Sequence, residues 1–482
     1  MPIKKIENFI GGEFVPPISG EYLDNFNPAT GQAYSLLPDS DERDVQRAVE
    51  AAEKAFPSWS QSSLADREGV LLKIASGISD KLEDLAYAES VDNGKPLTLA
   101  RSVDIPRAAE NFRFFATAMT HFHSESHSMG RQAINYTLRE PVGVVGCISP
   151  WNLPLYLFSW KVAPAIASGN CVVAKPSELT PMTAFLFSQI CNEAGLPPGV
   201  LNIVHGVGRK AGAAIAAHPG IRAVSFTGGT ATGAEIARTS APMFKKLSLE
   251  LGGKNASIIF SDCEYKKALE GVLQSSFANQ GQICLCGSRI FVERSLYTKF
   301  RDDLVSSAKG LLVGDPLQEG VLQGAVISSQ HKRKILDCVE RAKREGGVIL
   351  CGGVEAIING RCREGSFVFP TVIEGLDYDS LTNREEIFGP VVSIMPFDQE
   401  DEVVTYANST DYGLASMIWT KDLSRAHRLA AAMKTGIVWI NSWMLRDLRT
   451  PFGGMKHSGV GREGGVEVLR FFTEPKNVCV TM

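Results

Sequence analysis

The segment Phe277-Ala-Asn-Gln-Gly-Gln-Ile-Cys-Leu-Cys-Gly-Ser-Arg289 sets two cysteines, Cys284 and Cys286, among glycine and glutamine. A thiolate adds readily to a carbonyl carbon, and the thioester that follows can be hydrolysed by water. A free thiol has a pKa near ~8.5, so such a site must lower that value or supply a base. Metal ligation competes for the same pair, but no second cysteine pair or close histidine completes a ligand set. A small buried hydrophobe is the reading that suits most of the other cysteines.

A candidate base lies upstream. Leu247-Ser-Leu-Glu-Leu-Gly-Gly-Lys-Asn255 embeds Glu250 in an apolar strand. A buried carboxylate is costly without a task or a partner, and apolar surroundings raise its pKa toward that of a general base. The competing use is a salt bridge to Lys246 or Lys254. Asn152, in Pro150-Trp-Asn-Leu-Pro-Leu155, carries an uncharged amide donor suited to an oxyanion, although asparagine is also an ordinary turn residue.

Ala223-Val-Ser-Phe-Thr-Gly-Gly-Thr-Ala-Thr-Gly233 reads as a strand, a glycine turn and a helix start, which can offer backbone N–H groups to a phosphate. It departs from the usual dinucleotide motif, which has glycine where Thr230 stands and an acidic ribose partner ~20 residues on. Glu250 lies near that distance but has the other use just described. A βα turn with no ligand remains open on these residues alone.

These groups need a scaffold, and the hydrophobic pattern supplies one. Residues 41–56 have helical spacing with an acidic first turn, and helical texture returns at 64–90 and 104–120. From 141 onward, short apolar runs at Val142–Ile148, Cys171–Ala174, Leu201–Val204 and Ala223–Phe226 alternate with helices, implying a buried parallel sheet. A second series follows Gly252: Ala256–Phe260, Arg289–Val292, Val391–Pro396, Ala415–Trp419 and Gly436–Asn441. Two α/β units with a break near Leu251-Gly-Gly253 are expected. The segment 121–139 reads as a hairpin arm whose mate is the strand Asn477–Thr481.

Composition narrows the class. The 482 residues are too many for one ordinary core. A net charge of -4 gives no reason to expect a nucleic-acid partner. The stretch Met1–Ile10 has no apolar leader, and the apolar stretch Leu153–Ala167 contains Lys161 and prolines, so no membrane segment is expected. Ten irregularly spaced cysteines suit reduced thiols and a cytoplasmic protein.

Taken together, the motifs resemble the aldehyde dehydrogenase superfamily over essentially the whole chain. The matches are Pro150-Trp-Asn152, Lys175-Pro-Ser-Glu178, Phe226-Thr-Gly228, Leu249-Glu-Leu-Gly-Gly253, Gly281-Gln-Ile-Cys284, Glu385-Glu-Ile-Phe-Gly-Pro390 and Pro451-Phe-Gly-Gly454. The resemblance implies an α/β fold: a Rossmann-like NAD-binding domain (1–120 and 141–251), an α/β catalytic domain (252–450) and a small β oligomerisation arm (121–140 and 466–482). It makes Cys284 the nucleophile, Glu250 the general base, and Asn152 with the Cys284 N–H the oxyanion hole. Lys175 and Glu178 match the pair that holds the adenosine ribose, and Glu386 and Phe388 match those at the nicotinamide ribose and ring. Ile148, Trp151, Gly208, Phe226, Gly228 and Gly229 complete the implied cofactor set; many family members have serine at the position of Gly229. Glu178 would accept hydrogen bonds from ribose hydroxyls and repel a 2′-phosphate, which favours NAD over NADP. No metal is implied, and the arm implies a homodimer or homotetramer. A catalytically silent relative on this fold would be expected to lack the thiol or the base.

The substrate is read from arginines. Arg107 opens the helix Asp104–Phe115, and Asn441-Ser-Trp-Met-Leu-Arg-Asp-Leu-Arg449 places Arg446 and Arg449 beyond a strand. Arginine suits a carboxylate through bidentate pairing and is costly beside a lipid aldehyde. With Ile148–Leu155, Arg107 and Arg446 resemble the branch oxidising 2-aminomuconate or 2-hydroxymuconate 6-semialdehyde in tryptophan or aromatic catabolism. The expectation is a carboxylate-bearing semialdehyde, the amino compound ahead of the hydroxy one. Retinal or an aliphatic aldehyde is the alternative, as is a loop in which Asp447 pairs with the arginines. Arg113 reads as a structural helix residue.

Overall fold

The structure, a computed structural model, describes residues 4–482. The first three residues of the segment read above as lacking a leader lie outside them. Two sheets carry the molecule. The first has eight strands in the order Gly459–Val460, Lys246–Glu250, Ile221–Thr227, Val144–Ile148, Cys171–Lys175, Leu201–Ile203, Asn8–Ile10 and Glu13–Val15. Its five middle strands are parallel, and antiparallel strands close both edges. The helix Pro154–Ala167 is buried at every position, which its nearly continuous apolar sequence allows.

The chain leaves the first sheet at Glu250 and enters the second at Ala256. That sheet has seven strands in the order Val348–Cys351, Thr371–Glu374, Val391–Phe397, Arg289–Glu293, Ala256–Ile259, Ala415–Trp419 and Ile437–Ile440, parallel except for the first pair. A third, antiparallel sheet pairs Thr473–Thr481 with Ala133–Pro141 along their whole length, and Ser126–Ser128 completes it. The expected arm is therefore present, with a longer mate strand.

Three features differ from the sequence expectation. The texture over 64–90 is two helices, Leu64–Asp80 and Leu82–Asn93, broken at Lys81. The second stops at Gly94, whose φ of 85° is left-handed. Short amino-terminal strands, unmarked by alternation, add an edge to the first sheet. The sequence reading ends its second unit at 450, yet Gly459–Val460 returns to pair with Leu249 and Glu250 in the first sheet. Among the described residues no helix is long and apolar enough to cross a membrane.

Candidate active site

Cys284 sits on a loop that the backbone holds in an unusual shape. Asn279, Gln280 and Gly281 all have positive φ, and a Cβ on Gly281 would lie 2.1 Å from the Gly389 carbonyl. Side chains then pin the loop. The Asn255 amide donates to the carbonyls of Cys284 (2.7 Å) and Cys286 (2.9 Å), and the Trp443 indole donates to that of Leu285 (2.9 Å). Burial pushes the Cys284 thiol well up; the charges of Glu386 and Glu250 and neighbouring Cys286 add to this, and Arg446 opposes it. These influences favour the neutral thiol, so a base beside Cys284 would assist its attack on a carbonyl. All ten cysteines are free, and among the described residues no cluster suited to a metal occurs.

Glu250 ends the strand Lys246–Glu250, buried, with neither carboxylate oxygen hydrogen-bonded. Burial and the charge of Glu463 raise its pKa well above the usual range, against Lys161, Arg462 and Arg446. The alternative salt bridge is not made. Lys246 turns to the carbonyls of Arg470 and Thr473. Lys254 has no ion-pair partner among the described residues, and burial, helped by Arg289, lowers its pKa to about 7. Gly453 explains the Pro451–Gly454 motif: a Cβ there would meet Glu250 Oε1 at 2.6 Å.

Asn152 is tied to the Cys284 loop. Its Nδ2 donates to the Gln282 carbonyl at 2.9 Å, two residues before Cys284, leaving a second N–H. Its own carbonyl accepts from Asn279 (2.9 Å) and Lys95 (3.1 Å), and Lys95 also contacts Asp104, just before the helix of Arg107. The oxyanion candidate and the arginine helix thus share one buried anchor.

Beside Cys284 opens a cleft of about 270 Å³ lined by Trp151, Asn152, Gly228, Gly229, Glu386 and Phe388, among others. Gly229 caps the helix Thr230–Ser240 without a side chain, and a Cβ there would have nothing within 4 Å. That open helix start, beside the unpartnered buried hydroxyl of Thr227, suits a pyrophosphate. A Cβ on Gly228 would strike the Phe226 ring at 2.4 Å, and Phe226 is paired with Ile148 across the sheet. Lys175 and Glu178 are joined at 3.1 Å, and the Gly208 N–H donates to the other Glu178 oxygen at 3.3 Å. Burial works against the Glu178 charge, but Lys175 and backbone N–H donors, that of Gly208 included, together outweigh it and the pKa falls below the usual range. Glu386 accepts from the Gly253 N–H at 2.9 Å, and burial raises its carboxyl to about 7. Phe388 meets Trp151 edge-on at 5.2 Å. Its carbonyl lies 2.7 Å from His331 Nε2, a residue the sequence reading missed.

Arg107 and Arg446 line one open cleft of about 530 Å³. Local carboxylates are already engaged: Asp447 by Arg449 and Glu110 by Arg113. Asp447 thus takes Arg449, not Arg446, and Arg113 makes an exposed pair with Glu110 one turn back on its helix. Among the described residues neither Arg107 nor Arg446 has a carboxylate partner.

The aldehyde dehydrogenase family profile matches residues 14–478. The chain is 50% identical over 478 residues to a 2-aminomuconic semialdehyde dehydrogenase of Danio rerio, covering 98% of both. It is 46% identical to a 2-hydroxymuconic semialdehyde dehydrogenase of Pseudomonas sp. (strain CF600), covering 100% of both. An NAD+ complex of an aldehyde dehydrogenase from Bacillus cereus superposes with a TM-score of 0.97 at 40% identity, covering 99% of this chain and 97% of that one. The class is an NAD-dependent oxidoreductase that oxidises aldehydes. This chain belongs to the aldehyde dehydrogenase family, and its α/β architecture is that family's fold.

Proposed function

We propose that the chain oxidises a carboxylate-bearing semialdehyde, 2-aminomuconate 6-semialdehyde ahead of its 2-hydroxy analogue, to the acid. The observation that carries this reading is the pair of half-buried arginines, Arg107 and Arg446, in one cleft with no carboxylate partner among the described residues. A partly buried cation without a counter-ion is costly, and a substrate carboxylate would supply one. Arg446 also acts electrostatically on both Cys284 and Glu250, so its charge lies within reach of the reacting centre. The names of the relatives above agree with this reading.

In the proposed chemistry the Cys284 thiol passes its proton to the Glu250 carboxylate, which releases it to solvent, and the thiolate attacks the aldehyde carbon. The free Asn152 N–H and the Cys284 backbone N–H hold the oxyanion. Bound at this site, NAD would supply the acceptor for the hydride released from that carbon. Glu250, whose burial gives it the basicity of a general base, takes a proton from the water that hydrolyses the thioester. Lys175, Glu178 and Gly208 would hold the adenosine ribose, and Gly228 and Gly229, with Ile148 and Phe226 on the adjoining strands, the pyrophosphate. Glu386, Phe388 and Trp151 would border the nicotinamide end. The reading places the enzyme in the cytoplasm, in aromatic or tryptophan (kynurenine-type) catabolism, as a homo-oligomer joined through its arm. Residues 1–120 and 141–251 form its NAD-binding domain and 252–450 its catalytic domain.

The test is a comparison of kcat/KM for 2-aminomuconate semialdehyde, 2-hydroxymuconate semialdehyde and retinal. The muconic compounds should lead, and Arg107→Ala and Arg446→Ala should each raise their KM at least ~10-fold. Unchanged KM in both variants would overturn the substrate class.

A further inference from the structure

Tyr156 stands between the two unpaired arginines. It lies on the buried helix Pro154–Ala167 and is only 3% exposed. Arg446 Nη1 donates to its phenolic oxygen at 3.1 Å. The Arg107 guanidinium lies 5.9 Å from the centre of its ring. One aromatic side chain thus contacts both cations, through its oxygen and through its face.

The same helix supplies the rest of the seat. Trp160, one turn on from Tyr156, has its ring 5.2 Å from the Arg446 guanidinium, and Phe452 packs at 4.0 Å. Two aromatic faces and one hydroxyl therefore fix a long side chain that would otherwise sample many rotamers. Among the described residues the Arg446 fork has no acceptor but the Tyr156 oxygen. The phenolic O–H donates to no protein acceptor among these residues, while its oxygen accepts from Arg446. Three donor groups, two guanidiniums and one hydroxyl, are left for one incoming anion.

We infer that Tyr156 is a specificity-determining residue of the carboxylate subsite: it orients Arg446 and Arg107 and donates its O–H to the distal carboxylate of the substrate. This rests on the substrate reading above and goes beyond it, since arginines alone would bind a carboxylate with looser geometry. The hydroxyl adds a directional acceptor requirement that an uncharged aldehyde tail cannot meet. Tyr156 is a positioning and binding group remote from bond making, so its effect belongs in KM more than in kcat.

The experiment compares the wild type, Tyr156→Phe and Tyr156→Leu with 2-aminomuconate semialdehyde and with hexanal. Inhibition by cis,cis-muconate, a dicarboxylate without an aldehyde, is measured alongside. Tyr156→Phe keeps the ring and removes only the hydroxyl. It should raise KM for the carboxylated aldehyde and Ki for muconate about five- to tenfold, with the change in hexanal KM at least fivefold smaller. Tyr156→Leu, which also removes the face under Arg107, should weaken muconate further. If muconate inhibits the wild type and Tyr156→Phe equally, the role of Tyr156 is overturned while the carboxylate reading stands. If muconate does not inhibit the wild type at all, the carboxylate reading falls and this proposal with it. Equal loss on both aldehydes in Tyr156→Phe would mark a purely structural residue and overturn the assignment.

Discussion

The side-chain amide of Asn255 donates to the carbonyl of Cys284 at 2.7 Å, while its Oδ1 accepts from the Ala415 backbone at 2.9 Å. Asn255 directly precedes the strand Ala256–Ile259 and Ala415 begins the strand beside it, so the amide ties Cys284, the proposed nucleophile, to the second sheet. A thiol on a left-handed loop has no regular structure of its own to hold it, and placement within about half an ångström matters to an attacking group.

Asn255→Ala should therefore lower kcat about tenfold or more. It leaves two buried carbonyls and one buried N–H without that partner, at a cost of ~1–3 kcal/mol for each group left unsatisfied. Alkylation of Cys284 by iodoacetamide separates the causes. A changed rate in a variant that still binds NAD means the loop has moved; an unchanged rate with unchanged kcat would show that Asn255 holds nothing of consequence.

Charges around the thiol give a second prediction, with opposite signs for two substitutions. Glu250 pushes the Cys284 pKa up and Arg446 pulls it down. Glu250→Gln should move the pH profile of Cys284 alkylation to lower pH, and Arg446→Ala should move it to higher pH. Turnover is informative too: Glu250→Gln should cut kcat about 100-fold or more through slow thioester hydrolysis. Mass spectrometry should then find the acyl group on Cys284, and profiles that move together would contradict the electrostatics.

How much of this the sequence disclosed follows from where local rules are broken. Glu250 in an apolar strand and Cys284 among glycine and glutamine stand out because each violates its surroundings, and such violations mark working sites. The parallel strands were legible as continuous apolar runs. The edge strand Gly459–Val460 was not, since two residues carry no periodicity and its pairing with Leu249 and Glu250 spans some two hundred positions. Asn255 and Tyr156 were invisible for a similar reason. Each looks ordinary in its own segment, and only the fold brings Asn255 to Cys284 or Tyr156 to Arg446. One signal was available: Tyr156 and Trp160 are four residues apart and so share a helix face.

Cofactor choice gives a third prediction. The Glu178 carboxylate is half-buried, held by Lys175 at 3.1 Å and by the Gly208 N–H at 3.3 Å, and kept ionised by Lys175. A 2′-phosphate beside it would face a fixed negative charge. Glu178→Gln keeps an acceptor oxygen and removes that charge, freeing Lys175 to meet a phosphate. The ratio of kcat/KM with NADP to that with NAD should rise about tenfold, as expected for losing ~1–2 kcal/mol of repulsion. An unchanged ratio would place the discrimination elsewhere.

The arm gives the last prediction. Along Ala133–Pro141 the side chains of Ile134, Tyr136 and Leu138 alternate outward, each more than a third exposed, and Val480 lies opposite Ile134 on the paired strand. Alternation places all four on one face of the small sheet, since successive strand residues point to opposite sides. A contiguous exposed apolar face marks a surface suited to association, and a second copy of the chain offers the same surface in return. Tyr136→Asp combined with Leu138→Asp puts two charges on that face without touching either large sheet. The double variant should elute in smaller assemblies than the wild type by light scattering, at protein concentrations where the wild type stays associated. Its melting temperature should fall as well, because subunits that bind one another stabilise the folded state by mass action. Retention of the wild-type mass would show that the outward apolar face is not what joins the subunits.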